Sequence, residues 1–195
     1  MTSRPITKEE HIMIMKTMNE NHEGFFKRNP QIIHILTVEC STGLRLGDIL
    51  RMKLSDIYRT DKGYRLKITE KKTGKERNVP IPSELYSYLA DYAMEHGRSR
   101  TMPIFDISVR AVNKYIRKVC IDYLEMEAIS SHSWRKLFCH SIYESSGNSI
   151  VDVQMALMHS SIACTQRYLN RRSEKLEGIL ENNCNIVDLG GELNE

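Results

Sequence analysis

Between Ile57 and Ile81 the chain leaves the helical spacing of apolar residues that it keeps almost everywhere else and alternates with period two. Tyr64-Arg65-Leu66-Lys67-Ile68 alternates in this way, and Asn78-Val79-Pro80-Ile81 follows a turn at Thr73-Gly74-Lys75. Such a pattern puts successive side chains on opposite faces of a strand and gives a helix no continuous apolar stripe. The segment therefore predicts a small antiparallel sheet. Its flanks predict helices. Thr7-Lys8-Glu9-Glu10 forms a capping box that opens a helix to about Asn21. Asn29-Pro30 caps and starts a second, largely buried helix, with Ile32, Ile33, Ile35, Leu36 and Val38, that ends near Gly43. A short helix follows over about residues 46–52. Beyond the sheet, Ser83 is expected to cap a helix with Leu85, Tyr88, Leu89, Tyr92 and Ala93 on one face, and the same spacing recurs from Val112 to Leu124. Further helices are expected over about residues 133–144, 149–157 and 162–170, interrupted at Gly147 and at His159-Ser160-Ser161. The expected fold class is α+β, mainly α-helical, with the sheet inserted after the first helices.

Charge is more informative by position than in total. The net charge is +3, yet residues 41–80 carry eleven Arg or Lys against five acids, whereas residues 173–195 carry one Lys against six acids. A basic segment beside an acidic end suits a domain that binds a polyanion. No apolar run approaches the roughly 20 residues of a membrane span, and the N-terminus lacks the apolar core of a secretory signal. The expectation is a soluble, cytoplasmic chain. Its five cysteines are widely spaced without a C-x-x-C pair, which predicts free and mostly buried thiols and no zinc site.

Four segments offer groups suited to a phosphodiester. In Thr42-Gly43-Leu44-Arg45-Leu46-Gly47-Asp48, a turn delivers Arg45 to a helix start, where its planar fork can bond two phosphate oxygens. Asp48, three residues on, can hold that fork or satisfy helix N-terminal amides. Lys71-Lys72-Thr73-Gly74-Lys75 projects amines from the hairpin turn, fit to protonate a leaving oxygen or to meet phosphates. In Ser131-His132-Ser133-Trp134-Arg135, His132 and Arg135 stand at i and i+3 on one helix face and can reach one anion together, with His140 off that face. His159 lies at a helix break nine residues before Tyr168. A phenol with an ordinary pKa near ~10 becomes a nucleophile only beside cations or a base. Taken singly, each segment has a plainer reading as a structural ion pair, a solvated charge run, a helix cap or one surface tyrosine among nine.

Taken together and in this order, TGLRxxD, the KTG turn, HSWR and the H-x8-Y ending resemble the tyrosine recombinases, the phage and transposon integrases among them, over nearly the whole chain. The resemblance implies the catalytic fold of that family over residues 1–182, with a possible trans-packing tail at 183–195. It implies that Arg45 and Arg135 clamp the scissile phosphate and that His132 and His159 bond its oxygens, with His132 also assisting proton transfer. Lys72 would protonate the departing 5′ oxygen, although Lys71 is adjacent and remains open. Tyr168 would form a 3′-phosphotyrosyl link, Asp48 would support the site, and Lys71, Lys75 and Arg77 would contact DNA. The implied partner is double-stranded DNA, with a tetramer on recombining DNA and a monomer when isolated. No metal or other cofactor is implied, and neither a P-loop nor an acidic cluster for two magnesium ions occurs. One departure is Leu157-Met158-His159, where the family commonly has Leu-Gly-His.

The family's preceding DNA-binding domain has no counterpart here, which suggests a fragment of a longer integrase or a short member. A type IB topoisomerase shares the phosphotyrosine chemistry, and plasmid relaxation without a specific site would favour it. A binding module that has lost turnover, or a metal-dependent nuclease using the histidines, fits the filled set of positions less well.

Overall fold

A computed structural model describes residues 3–157 and residue 165. Helix α1 (Lys8–Met18) opens with the expected box: the Glu10 amide donates to the Thr7 hydroxyl at 3.1 Å, and the Thr7 amide donates to the Glu10 carboxylate at 2.9 Å. Helix α2 (Pro30–Thr42) is the central element, with Ile32, Ile35, Leu36, Val38, Glu39 and Thr42 all buried. Asn29 caps it and Pro30 fills its first turn. It stops at Gly43, whose φ of 60° closes the last turn through the Gly43 amide to the Glu39 carbonyl at 2.9 Å. Helix α3 (Leu46–Ile49) is one turn long, shorter than its sequence suggests.

Strands β1 (Ile57–Thr60), β2 (Gly63–Thr69) and β3 (Glu76–Ile81) form an antiparallel sheet in that order. Leu66 lies opposite Ile57 and Val79, and Ile68 opposite Arg77. One face is therefore packed into the core through Ile57, Leu66, Ile68 and Ile81. Tyr64 stacks on Tyr86 at 3.9 Å and ties this face to α4 (Ser83–Glu95). Pro82, and not Ser83, holds the N-cap position of α4, with Ser83 its first helical residue. The long helix expected over 112–124 is α5 (Val109–Ile116) running into a π-helical segment, Arg117–Tyr123.

Helix α6 (Ser131–Ser145) begins two residues earlier than expected, because Ser130 and Ser133 cap it reciprocally. It packs along α2 with Trp134 fully buried, and the Trp134 indole donates to His11 at 3.1 Å. Gly147, at φ 66°, separates α6 from α7 (Ile150–Leu157). The start of α3, strand β3 and the start of α6 are thereby brought against the C-terminal end of α2. Cys120 and Cys139 are buried and Cys40 half-buried, all three as free thiols. Cys164 and Cys184 lie outside the described residues, as do the helix expected over 162–170 and the tail at 183–195. Among the described residues no helix is long and apolar enough to cross a membrane.

Candidate active site

Arg45 owes its position to the left-handed turn at Gly43, after which it stands extended at the N-cap of α3. Its side chain is 20% exposed and donates through Nη1 to Glu70 Oε2 at 2.5 Å. Asp48 does not hold this fork. Its buried carboxylate accepts from Arg51 Nη2 at 2.6 Å and from the Lys71 backbone amide at 2.9 Å. Asp48 therefore fixes the start of the lysine-bearing turn, and Glu70 takes the role that the sequence suggested for Asp48.

That turn is closed from both sides. The Glu70 amide donates to the Lys75 carbonyl and the Gly74 amide to the Glu70 carbonyl, each at 2.9 Å, while the Thr73 hydroxyl donates to Glu70 Oε2 at 2.8 Å. Lys71, Lys72 and Lys75 are all exposed on it. Burial alone would raise the Glu70 carboxyl. The Thr73 hydroxyl, Arg45 and Arg77 outweigh that and hold it below the usual carboxylate range.

Arg77 is not on the DNA-facing surface. It is fully buried, donating through Nη1 to the Gly43 carbonyl and through Nη2 to the carbonyls of Thr42 and Ala156, at 2.8–3.3 Å. The reason is register: Arg77, Val79 and Ile81 share the sheet face that Leu66 and Ile68 bury. Burial and the like charge of Arg135 pull Arg77 down to about 10, against the pull of Glu70, so it remains a cation at neutral pH.

His132 and Arg135 leave the first turns of α6 as their spacing requires. Arg135 is buried and donates through Nη1 to the Gly43 carbonyl at 2.5 Å, so one carbonyl receives two guanidinium groups, those of Arg77 and Arg135. His132 is exposed on the rim. Partial burial of its ring, then the charges of Arg135, Arg45, Lys136 and Lys72, push its pKa below the usual histidine value. That set of neighbours brings four of the expected catalytic residues within electrostatic reach of one another. Three of them, Arg45, Lys72 and His132, line a cleft of about 690 Å³ together with Asp48, Lys71 and Asn113. His159 and Tyr168 lie outside the described residues.

Two contributors escaped the sequence reading. Glu70 continues the inward set Leu66 and Ile68 by the same period of two, and that signal points a carboxylate toward the core. Glu39 is the other. It is fully buried on α2, and burial raises its carboxyl well above the ordinary range against the opposing charge of Arg135. Among the described residues no group of three His, Cys, Asp or Glu is placed to hold a metal ion.

Residues 4–175 match the phage integrase family. The chain is similar to the "Probable integrase/recombinase YoeC" of Bacillus subtilis (strain 168), at 28% identity over 177 residues, covering 85% of this chain and 88% of the relative. It is 31% identical over 140 residues to the tyrosine recombinase XerC of Xanthomonas axonopodis pv. citri (strain 306), covering 69% of this chain and 45% of that one. The chain thus spans less than half the length of that XerC. Among solved structures, the XerH site-specific recombinase bound to its difH substrate in a pre-cleavage complex superposes with a TM-score of 0.68 at 18% identity, covering 90% of this chain and 53% of that one. The catalytic domain of bacteriophage HP1 integrase gives 0.63 at 20% identity, covering 92% and 94%. These structural likenesses establish the fold, with its small sheet between helices.

Proposed function

The chain belongs to the phage integrase family of tyrosine recombinases, and from that premise we propose that it cuts and rejoins double-stranded DNA at specific sites through a 3′-phosphotyrosyl bond to Tyr168. The observation that carries the reading is the convergence of Arg45, Lys72 and His132 about one open cleft, with the buried Arg135 close enough for its charge to act on His132. In this reading the two arginines hold the non-bridging oxygens of the scissile phosphate and offset the charge that builds on a five-coordinate phosphorus. His132 and His159 bond the same oxygens. His132, its pKa lowered by partial burial and then by its cationic neighbours, helps take the phenol proton of Tyr168. The Tyr168 oxygen bonds to phosphorus as the bond to the 5′ oxygen breaks, and Lys72 gives that oxygen its proton. A 5′-hydroxyl from another strand then reverses the step. Lys71 and Lys75 meet flanking phosphates, and recombination proceeds in a tetramer on DNA in the cytoplasm.

The test uses a pool of nicked duplexes of randomised sequence, in which loss of a short strand after cleavage traps the intermediate. A covalent adduct that persists in EDTA, with its DNA-linked peptide containing Tyr168, is the expected result. Cleavage without an adduct, or only with added metal, would sink the proposal.

Two further outcomes follow. Lys72→Ala should slow adduct formation by about 10²-fold or more, the scale of a lost general acid, and Lys71→Ala much less. Replacing the scissile 5′ oxygen with sulfur, which leaves without a proton, should restore the rate of the Lys72 variant; restoration of the Lys71 variant instead would exchange their roles. The pH profile is the second. Because the His132 pKa is lowered, the imidazole is neutral through the neutral range and protonates only below its ordinary value of about 6.5. Adduct formation should be level from about pH 7 to 8 and fall in acid, and His132→Gln should flatten that acid limb.

A further inference from the structure

The hydrogen bonds of Glu70 connect two parts of the site that are distant in sequence. Its Oε2 accepts from Arg45 Nη1 at 2.5 Å and from the Thr73 hydroxyl at 2.8 Å, while its backbone closes the turn that carries Lys72. The carboxylate is 1% exposed, so it meets these partners without competition from bulk water. On its other side Arg77 stands 3.6 Å from Oε1, but Arg77 is already anchored by the carbonyls of Thr42, Gly43 and Ala156. The Glu70–Arg45 contact is the tighter of the two, and Arg45 is the partner that reaches the cleft.

We propose that Glu70 is a positioning residue, which aims the Arg45 guanidinium into the cleft and holds the Lys72 turn in register with it. This rests on the cleavage reading above. A guanidinium carries five N–H donors. With Nη1 committed to Glu70, the opposite edge of the fork is presented as a unit to a phosphate, in the two-bond geometry that arginine favours. An arginine without such a partner spreads over many rotamers and must be ordered at each encounter. Because Thr73 bonds the same carboxylate oxygen, displacement of Arg45 also displaces the turn two residues from its lysine. A single carboxylate therefore sets the spacing between the phosphate clamp and the leaving-group acid. Asp48 complements it by fixing the Lys71 amide.

The experiment compares wild type, Glu70→Gln and Glu70→Asp on nicked duplexes carrying either the natural phosphate or an uncharged methylphosphonate at the cleavage position. With phosphate, Glu70→Gln should form adduct about 10- to 100-fold more slowly, the scale of a misaimed electrostatic contact, and Glu70→Asp should recover part of the loss. With methylphosphonate, which has less charge for Arg45 to offset, wild type and Glu70→Gln should differ by no more than about threefold. Equal slowing on both substrates would mean general structural damage and would overturn the proposal, as would an unchanged rate on phosphate. A second readout needs no turnover: the Arg45 Nε–Hε resonance, assigned through Arg45→Lys, should be sharp in wild type and broadened in Glu70→Gln. An unchanged resonance overturns the positioning role. If wild type forms no adduct on any duplex, the cleavage reading fails by itself, and the resonance still decides what Glu70 does to Arg45.

Discussion

Tyr168→Phe is expected to leave no covalent protein–DNA adduct on any nicked duplex that traps the wild-type chain, a loss on the order of 10⁵-fold or more, as when an enzyme loses its nucleophile. Binding to the same duplex should stay within about twofold, because phosphate contacts supply most of that affinity. The other eight tyrosines are engaged elsewhere in the fold. Tyr58 accepts from Asn78, Tyr64 and Tyr86 stack on each other, and the Tyr88 hydroxyl bonds His34. The Tyr92 hydroxyl accepts from Gln31, Tyr115 donates to the Lys27 carbonyl, Tyr123 packs in a ring cluster with His22, Phe25 and Phe26, and Tyr143 is buried with Cys139, Val153 and Leu157. Each has a structural task away from the cleft. Tyr58→Phe, which keeps the ring at an exposed edge, is the control and should form adduct at the wild-type rate. Adduct surviving in Tyr168→Phe would mean that another group attacks the phosphorus.

Gly43→Ala should destabilise the fold by about 2–5 kcal/mol, combining roughly 1–2 for a left-handed backbone with about 1–3 for overpacking. Gly43 sits at φ +60°, and an added Cβ would lie 2.4 and 2.6 Å from Phe138 Cδ1 and Cε1 and 3.1 Å from Leu157 Cδ2. The Phe138 ring, half-buried against Cys139, Tyr143, Val153 and Leu157, would have to shift to admit it. Such a loss is a large share of the roughly 5–15 kcal/mol that holds a domain together. Activity should fall beyond what unfolding explains, because the Gly43 carbonyl accepts from both Arg77 and Arg135, and any shift of this residue moves them. Denaturant titration checks the first part, with the midpoint lowered and the slope unchanged. Gly47→Ala, which meets nothing within 4 Å inside α3, should change stability by less than about 1 kcal/mol. Equal stability of Gly43→Ala and wild type would refute this account of the turn.

What was legible in the sequence is what local chemistry decides. The Thr7 and Glu10 box, the Asn29-Pro30 start and Gly43 stop of α2, and the alternation of β2 all express the backbone's own requirements, and all appear in the structure. The convergence of Arg45, Lys72, His132 and Arg135 was legible as a family pattern; no local rule dictates that α3, a hairpin turn and α6 should meet. Arg77, expected to contact DNA, is turned inside, because charge predicts exposure only where no opposite partner waits inside. Here Glu70 and three carbonyls make an interior place for Arg77. Reading register before charge would have turned Arg77 inward, since it shares a face with Val79 and Ile81. The π-helical winding at Arg117–Tyr123 leaves no such trace, because its apolar spacing also fits an ordinary helix.

The bond from Arg77 to the Ala156 carbonyl spans 79 positions of sequence. A ribosome releases the chain from its N-terminal end, so β3 leaves the exit tunnel long before α7 does. Until Ala156 emerges, Arg77 lacks one of its three carbonyl anchors, and until Arg135 emerges the Gly43 carbonyl has only one arginine to receive. A nascent chain therefore carries its basic hairpin before the arginines behind it are anchored. The packing that fixes Arg77 and Arg135 is completed only late in synthesis.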